Sequence, residues 1–225
     1  MRAKTTRRRR SSKETESALL KAAEVVFGDK GYVDATVDEI VDYTGISRGT
    51  FYIYFENKED IFRKLLDLVV DDILKSARAA SAGSHRDRIE FANRHYFEAM
   101  QRNRKILKAL LQIANFNPEF SAVYGELRSR FITRIERDLR RKIGQGVVRP
   151  LDTRLTSYAL GLMIESIAYA WLVTGYEPWS ETFELEAMVK EVTDLWCAAV
   201  FVGGAEHQAP EQTPQLARLA AQTAD

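Results

Sequence analysis

The amino-acid sequence predicts an all-α chain of about nine helices, a three-helix N-terminal head followed by a larger helical domain. Three observations predict it. Apolar residues recur at helical spacing, and no alternating β-branched run stands between turn signals. Capping residues and glycines punctuate these stretches at helix-length intervals. Residues 36–58, TVDEIVDYTGISRGTFYIYFENK, read as two short helices joined by a tight glycine turn. A chain of 225 residues with 45% hydrophobic content can bury a small head and one larger core.

The elements follow in order. The first helix is expected over residues 13–29, with Ser11 as cap, Glu14 completing a capping box, and Leu19, Ala22, Ala23 and Val26 as its inner stripe. Gly28 and Gly31 end it. Thr36 caps the second helix, with Glu39 three residues on and Ile40 and Val41 facing inward. Gly45 can take the positive φ of the sharp turn that follows. Ser47 caps a third helix, Arg48 to Tyr54. Asn57 caps a long fourth helix to about residue 80, with Ile61, Leu65, Leu68 and Val69 on one face; Ala82, Gly83 and Ser84 break it. A fifth helix runs from 84 to 102 and a sixth from 105 to 115. Asn117 and Pro118 read as cap and first position of a seventh, which Gly144-Gln145-Gly146 stops after 143. Asp152 opens the eighth, to 174, and Ser180 the ninth, 181–201. Residues 203–225 are tail-like in composition. The expected division is a basic disordered arm at 1–12, a head at 13–58, a larger domain at 59–202 and a disordered tail at 203–225.

Charge is near balance overall, at +1, but unevenly placed. Residues 1–13 hold seven Lys/Arg and no acid, including Arg7, Arg8, Arg9 and Arg10. Residues 14–60 hold eleven acids against four bases. Cys197 is the one cysteine, which excludes an internal disulfide and fits a reducing cytoplasm. Basic residues at the N-terminus have no apolar stretch behind them, so no signal peptide is expected, and no apolar run is expected to reach a membrane span.

A helix–turn–helix of this length places its second helix in the DNA major groove, N-terminal residues at the base edges. Arg48 is placed to bond guanine, and Gly49 lets the backbone approach. Thr50, Tyr52, Tyr54 and Lys58 are expected at phosphates, beside Thr36 and Ser47 at the two helix starts. The arm offsets the acidity of the head, either in the adjacent minor groove or as a solubilising tail.

The run GISRGTFYIYFENKEDIF resembles the DNA-reading segment of the TetR family of bacterial repressors, matching at Gly45, Ile46, Ser47, Thr50, Phe51, Tyr52, Tyr54, Phe55, Asn57, Lys58 and Ile61. The resemblance implies a homodimer through the last two long helices, two reading heads on a palindromic double-stranded operator, and a small-molecule effector. Helices eight and nine suit that role. Residues 157–173 and 192–202 each contain one charge, so both helices need covering from outside their own domain.

Wide apolar side chains in the larger domain provide for an effector pocket: Phe91, Tyr96, Met100, Ile113, Phe116, Tyr124 and Phe131. The C-terminal half resembles EthR-type actinobacterial repressors at YFEAM (96–100), ALGLMIES (159–166) and DLWCAAVF (194–201). That resemblance implies a hydrophobic tunnel lined by Gly161, Ile164, Glu165 and Trp196, and so a hydrophobic, elongated effector. Glu165, a carboxylate in an apolar helix, must find a partner or a proton; it serves either as ligand anchor or in a dimer-interface or interdomain ion pair.

No cofactor or metal is expected. His85, His95 and His207 lack metal-ligand spacing. Asp67, Asp71 and Asp72 keep a Mg²⁺-dependent all-α enzyme in view as the rival class, but no second carboxylate cluster accompanies them. A helical binding module without a DNA role is a third reading, opposed by Arg48, Tyr52, Tyr54 and Lys58. Repression and activation are both compatible with the sequence, which names neither effector nor operator.

Overall fold

The computed structural model describes residues 3–76, 83–175 and 183–202. The tail at 203–225, the end of the fourth helix beyond 76 and the start of the ninth at 180–182 lie outside the described residues. The head comprises α1 (Ala3–Asp34), α2 (Val37–Thr44) and α3 (Arg48–Tyr54). The larger domain follows as α4 (Lys58–Ser76), α5 (His85–Arg102), α6 (Arg104–Ala114), α7 (Pro118–Gly144), α8 (Thr153–Ile167) with a π-helical extension (Ala168–Thr174), and α9 (Leu185–Val200). Among the described residues the only extended pairing is a single bridge, Val148 with Phe201, which ties the end of α9 to the α7–α8 loop.

Most expected caps form. Ser84 caps α5 in a box with Asp87, Asn117 caps α7 ahead of Pro118, and Asp152 accepts from the amides of Arg154 and Leu155 at the start of α8. Two boundaries differ. The first helix does not start at a Ser11 cap: α1 includes the backbone of residues 3–12, expected as a disordered arm, and it kinks at Gly31 (φ 80°). No glycine or proline interrupts residues 3–27, and Arg, Lys and Ala are strong helix formers. The eighth helix changes to π spacing at Ala168, where Gly175 N bonds Ala170 O.

Head and larger domain share one core. Phe27 and Tyr32 of α1 meet Phe62 of α4 and Phe120 of α7 in a ring cluster with centroids 4.8–5.8 Å apart. Helix α6 lies along α1, with Lys105 on Asp29 (2.6 Å) and the Gln112 side chain accepting from Tyr32 N (2.9 Å). Distally, α8 packs on α7 and α9 on α5. Gly161 permits the first of these contacts, since a Cβ there would lie 2.9 Å from Ile132 Cγ1.

Contrary to the sequence expectation, Thr153–Thr174 is long and apolar enough to cross a membrane by length and composition. Its one carboxylate inside the 157–173 stretch, Glu165, is ion-paired to α7. Part of the remaining surface of α8 and α9 is apolar and open: Leu155 is 70% exposed, and Tyr158 and Leu195 are about half exposed.

Candidate nucleic-acid interface and effector cavity

Local hydrogen bonds set the reading head. Thr36 Oγ1 accepts from Glu39 N (3.3 Å) while Glu39 accepts from Thr36 N (3.0 Å), a cap contributing about 1 kcal/mol. Gly45 sits at φ 68° and turns the chain into α3. Ser47 Oγ accepts from Thr50 N at 3.2 Å. Phe51 is fully buried, which orients the opposite face of α3 outward. That face carries Gly49 and Ile53, the latter 78% exposed, and Arg48 and Tyr52 are exposed beside it. Gly49 has only Ser47 Oγ, at 4.0 Å, near the place of a Cβ. The free protein therefore has room for a methyl at this position.

Three predicted contact residues have partners of their own. Arg48 pairs with Asp38 (2.9 Å) and lies over the Tyr52 ring. Both charges are well exposed, so the pair is weak and exchangeable. Tyr54 OH donates to Ser12 Oγ at 3.2 Å, joining α3 to α1. Lys58, expected at a phosphate, instead donates to the carbonyls of Tyr32, Val33 and Ala35 at 2.9, 3.2 and 2.8 Å. It closes the C-terminal end of α1, with its ammonium over the Tyr32 ring. Burial lowers its pKa from the usual lysine range, opposed by the nearby carboxylates of Asp34, Glu59 and Glu39. Arg7, Arg8, Arg9 and Arg10 lie on helical backbone, and their side chains are outside what is described.

In the larger domain the residues expected around an effector separate into two places. Glu165 is 5% exposed and holds a network between α7 and α8. Arg128 Nε donates to both carboxylate oxygens (3.0 and 2.8 Å), Arg128 Nη2 to one of them (2.9 Å), and Tyr124 OH to the same one (2.7 Å). The ion pair joins α7 to α8 within the larger domain. Burial, and then Glu165, push the Tyr124 phenol up to about 12, and the Glu165 hydrogen bond raises Arg128. Tyr169 of the π-helical turn puts its ring 5.5 Å from that of Tyr124, with its hydroxyl buried. Met100 and Ile164 are fully buried nearby, and Ile113 packs on the same core. Phe91 stands edge-on to His95. Phe116 belongs to neither place: it sits at the α6–α7 turn, 85% exposed.

The open space lies elsewhere, in a cavity of about 690 Å³ between the start of α5, the second half of α7 and Trp196 of α9. Phe131 and Trp196 line it, and Phe131 stacks on buried Tyr96 at 4.7 Å. Its rim is cationic. Arg88, Arg134, Arg137, Arg141 and Lys142 face it, against one carboxylate, Asp138. Sequence reasoning missed these residues. Arg134, Arg137 and Arg141 follow a three- and four-residue spacing that puts them on one side of a helix. Without knowledge of what α7 faces, such a row reads as solvated surface. The acidic patch of α4 is paired with bases, Asp71 with Lys75 (3.1 Å) and Asp72 with Arg102 and Asn103. No group of three metal-ligating side chains occurs among the described residues.

This geometry defines an all-α protein with a helix–turn–helix head. Residues 19–65 match the family model "Bacterial regulatory proteins, tetR family". Over 161 residues the chain is 28% identical to the HTH-type transcriptional regulator YfiR of Bacillus subtilis, covering 68% of this chain and 76% of that one. Over 216 residues it is 25% identical to the HTH-type transcriptional regulator EthR of Mycolicibacterium smegmatis, covering 88% and 93%. A TetR-family transcriptional regulator from Mesorhizobium loti shares its fold at TM-score 0.68 and 20% identity, over 85% of this chain and 98% of that one. Residues 19–65 carry the TetR-family segment, and these relatives are transcriptional regulators, not enzymes. Regulators of this family bind DNA operators and small-molecule effectors and act as dimers.

Proposed function

We propose that this protein is a cytoplasmic, homodimeric repressor that holds a palindromic operator and is released by a small molecule with a substantial apolar part. The observation that carries the DNA half is the outward face of α3: Phe51 is sealed inside, while Arg48, Gly49 and Tyr52 remain accessible beside the Ser47 cap. Arg48 exchanges Asp38 for guanine, the exposed Ile53 meets a thymine methyl, and Thr50 and Tyr52 hold phosphates. Exposed Leu155, Tyr158 and Leu195 supply the apolar face that a second copy covers, giving two heads on one two-fold axis. The effector enters the distal cavity over Phe131 and Trp196, and the aromatic stack leads inward from there toward the Tyr124–Glu165–Arg128 network. A cavity of this size suits a drug-sized molecule.

The test is a band shift on the DNA upstream of the protein's own gene, using the full chain and Gly49→Ala. Alanine at position 49 has space and better helix propensity, so unfolding should be unchanged or slightly stabilised. Operator binding should nevertheless fall at least tenfold, because the added methyl meets DNA. Unaltered binding by Gly49→Ala would place the DNA on another surface.

A further inference from the structure

We propose that the distal cavity takes the charged end of an anionic amphiphile, a carboxylate or phosphate monoester on an apolar chain. This rests on the reading of the cavity as the effector site and adds the chemical class of the effector. The cavity has two halves of different character. Ile89, Ala92, Phe131, Ile135 and Trp196 form the apolar part of a lining that encloses about 690 Å³. Around it, five cationic side chains oppose one carboxylate. They come from two elements, Arg88 from α5 and the others from α7, so an anion between them meets guanidinium groups from two sides. Guanidinium forks match carboxylate and phosphate oxygens and lose less to desolvation than ammonium groups.

The internal acid does not cancel this field. Asp138 already serves both Arg141 and Lys142, the latter at 2.7 Å and 5% exposed. The carboxylates that flank α5 elsewhere are used locally: Glu90 by Arg86 and Arg94, and Asp194 by Arg86 and Lys190. His85 bears on the same point. Its Nδ1 accepts from Arg88 Nη2 at 2.9 Å, and its pKa is lowered by burial and then by Lys142 and Arg88. The cavity therefore disfavours a further positive charge and is completed by a negative one. A neutral apolar effector would use the apolar lining alone.

The experiment measures binding to the full chain by calorimetry at low salt, with four twelve-carbon probes below their critical micelle concentrations: dodecanoate, dodecyl phosphate, dodecanol and dodecyltrimethylammonium. Expected is binding of one or both anions at least tenfold tighter than dodecanol, with no binding of the cation; the stronger anion identifies the head group. The double variant Arg88→Gln/Arg141→Gln should lose at least tenfold for the anion and leave dodecanol unchanged. It leaves Asp138 paired with Lys142, and a thermal melt checks its fold. Equal affinity for dodecanol and the anions, preference for the cation, or wild-type anion affinity in the double variant overturns the assignment. Operator band shifts on the same samples keep the two readings apart. Anion binding that leaves the operator bound upholds the charge assignment and sinks effector release; release by dodecanol alone does the reverse.

Discussion

Lys58 shows how a residue can match a motif and still be used differently. Its position after a DNA-reading helix points to a phosphate, yet an ammonium has three donors, and all three end on the carbonyls left open where α1 stops. Hydrogen bonds to a charged group contribute about 1.5–3 kcal/mol. Partial exposure places Lys58 in the lower part of that range. Lys58→Met should therefore destabilise the fold by about 1–3 kcal/mol in urea unfolding and leave the salt dependence of operator binding unchanged. A slope lower by about one unit per site with unchanged stability would return Lys58 to the DNA. Glu165 is the converse. Its isolation in an apolar helix was legible, because a buried carboxylate needs a partner. The partners were not, since Tyr124 and Arg128 lie 41 and 37 residues away on another helix. Residues 36–58 were legible in detail because a cap, a positive φ and a buried aromatic are all local. The distal cavity was not, because it is made where three helices face each other.

At the scale of elements, α1 joins what the sequence separates. The basic segment and the first head helix form one element, kinked only at Gly31. The head itself has little positive charge to offer DNA: Lys30 pairs with Glu39, Arg48 with Asp38, and Lys58 is engaged by carbonyls. Three of the four basic residues in 14–60 thus have partners inside the free head, and of these the exposed Arg48 pair is the exchangeable one. The expectation is that the seven bases of residues 1–13 supply most of the nonspecific attraction. Each phosphate neutralised contributes about 0.9 to the slope of log K against log salt. Deleting residues 2–10 should flatten that slope by several units per dimer and weaken binding most at low salt. Parallel lines for full and truncated chains would reduce the segment to a solubilising extension.

At the scale of the molecule, the question is how a cavity at the far end of the larger domain reaches the head. The fourth helix, which joins the two covalently, is the connection the sequence offers. The structure adds a second. Helix α7 is 27 residues, about 40 Å of rod, and both its ends are occupied. Near its start Phe120 is 1% exposed inside the head's aromatic cluster, against Tyr32 and Phe62, and Glu119 pairs with Arg63 of α4. Its second half supplies Arg134, Asp138, Arg141 and Lys142 to the cavity. Close-packed interiors pass a displacement along such a helix instead of absorbing it. An effector that prefers one placement of α7 therefore biases the packing under the head, with a coupling of about 1–3 kcal/mol in typical cases. Phe120→Leu keeps an apolar side chain but loosens the joint. It should bind operator and dodecanoate each nearly as well as the parent chain, while the factor by which one weakens the other shrinks toward one. Linkage requires that factor to be the same measured from either side, so operator affinity with and without dodecanoate, and dodecanoate affinity with and without operator, check each other. Full coupling in Phe120→Leu would shift the connection to α4, the covalent link between the two parts.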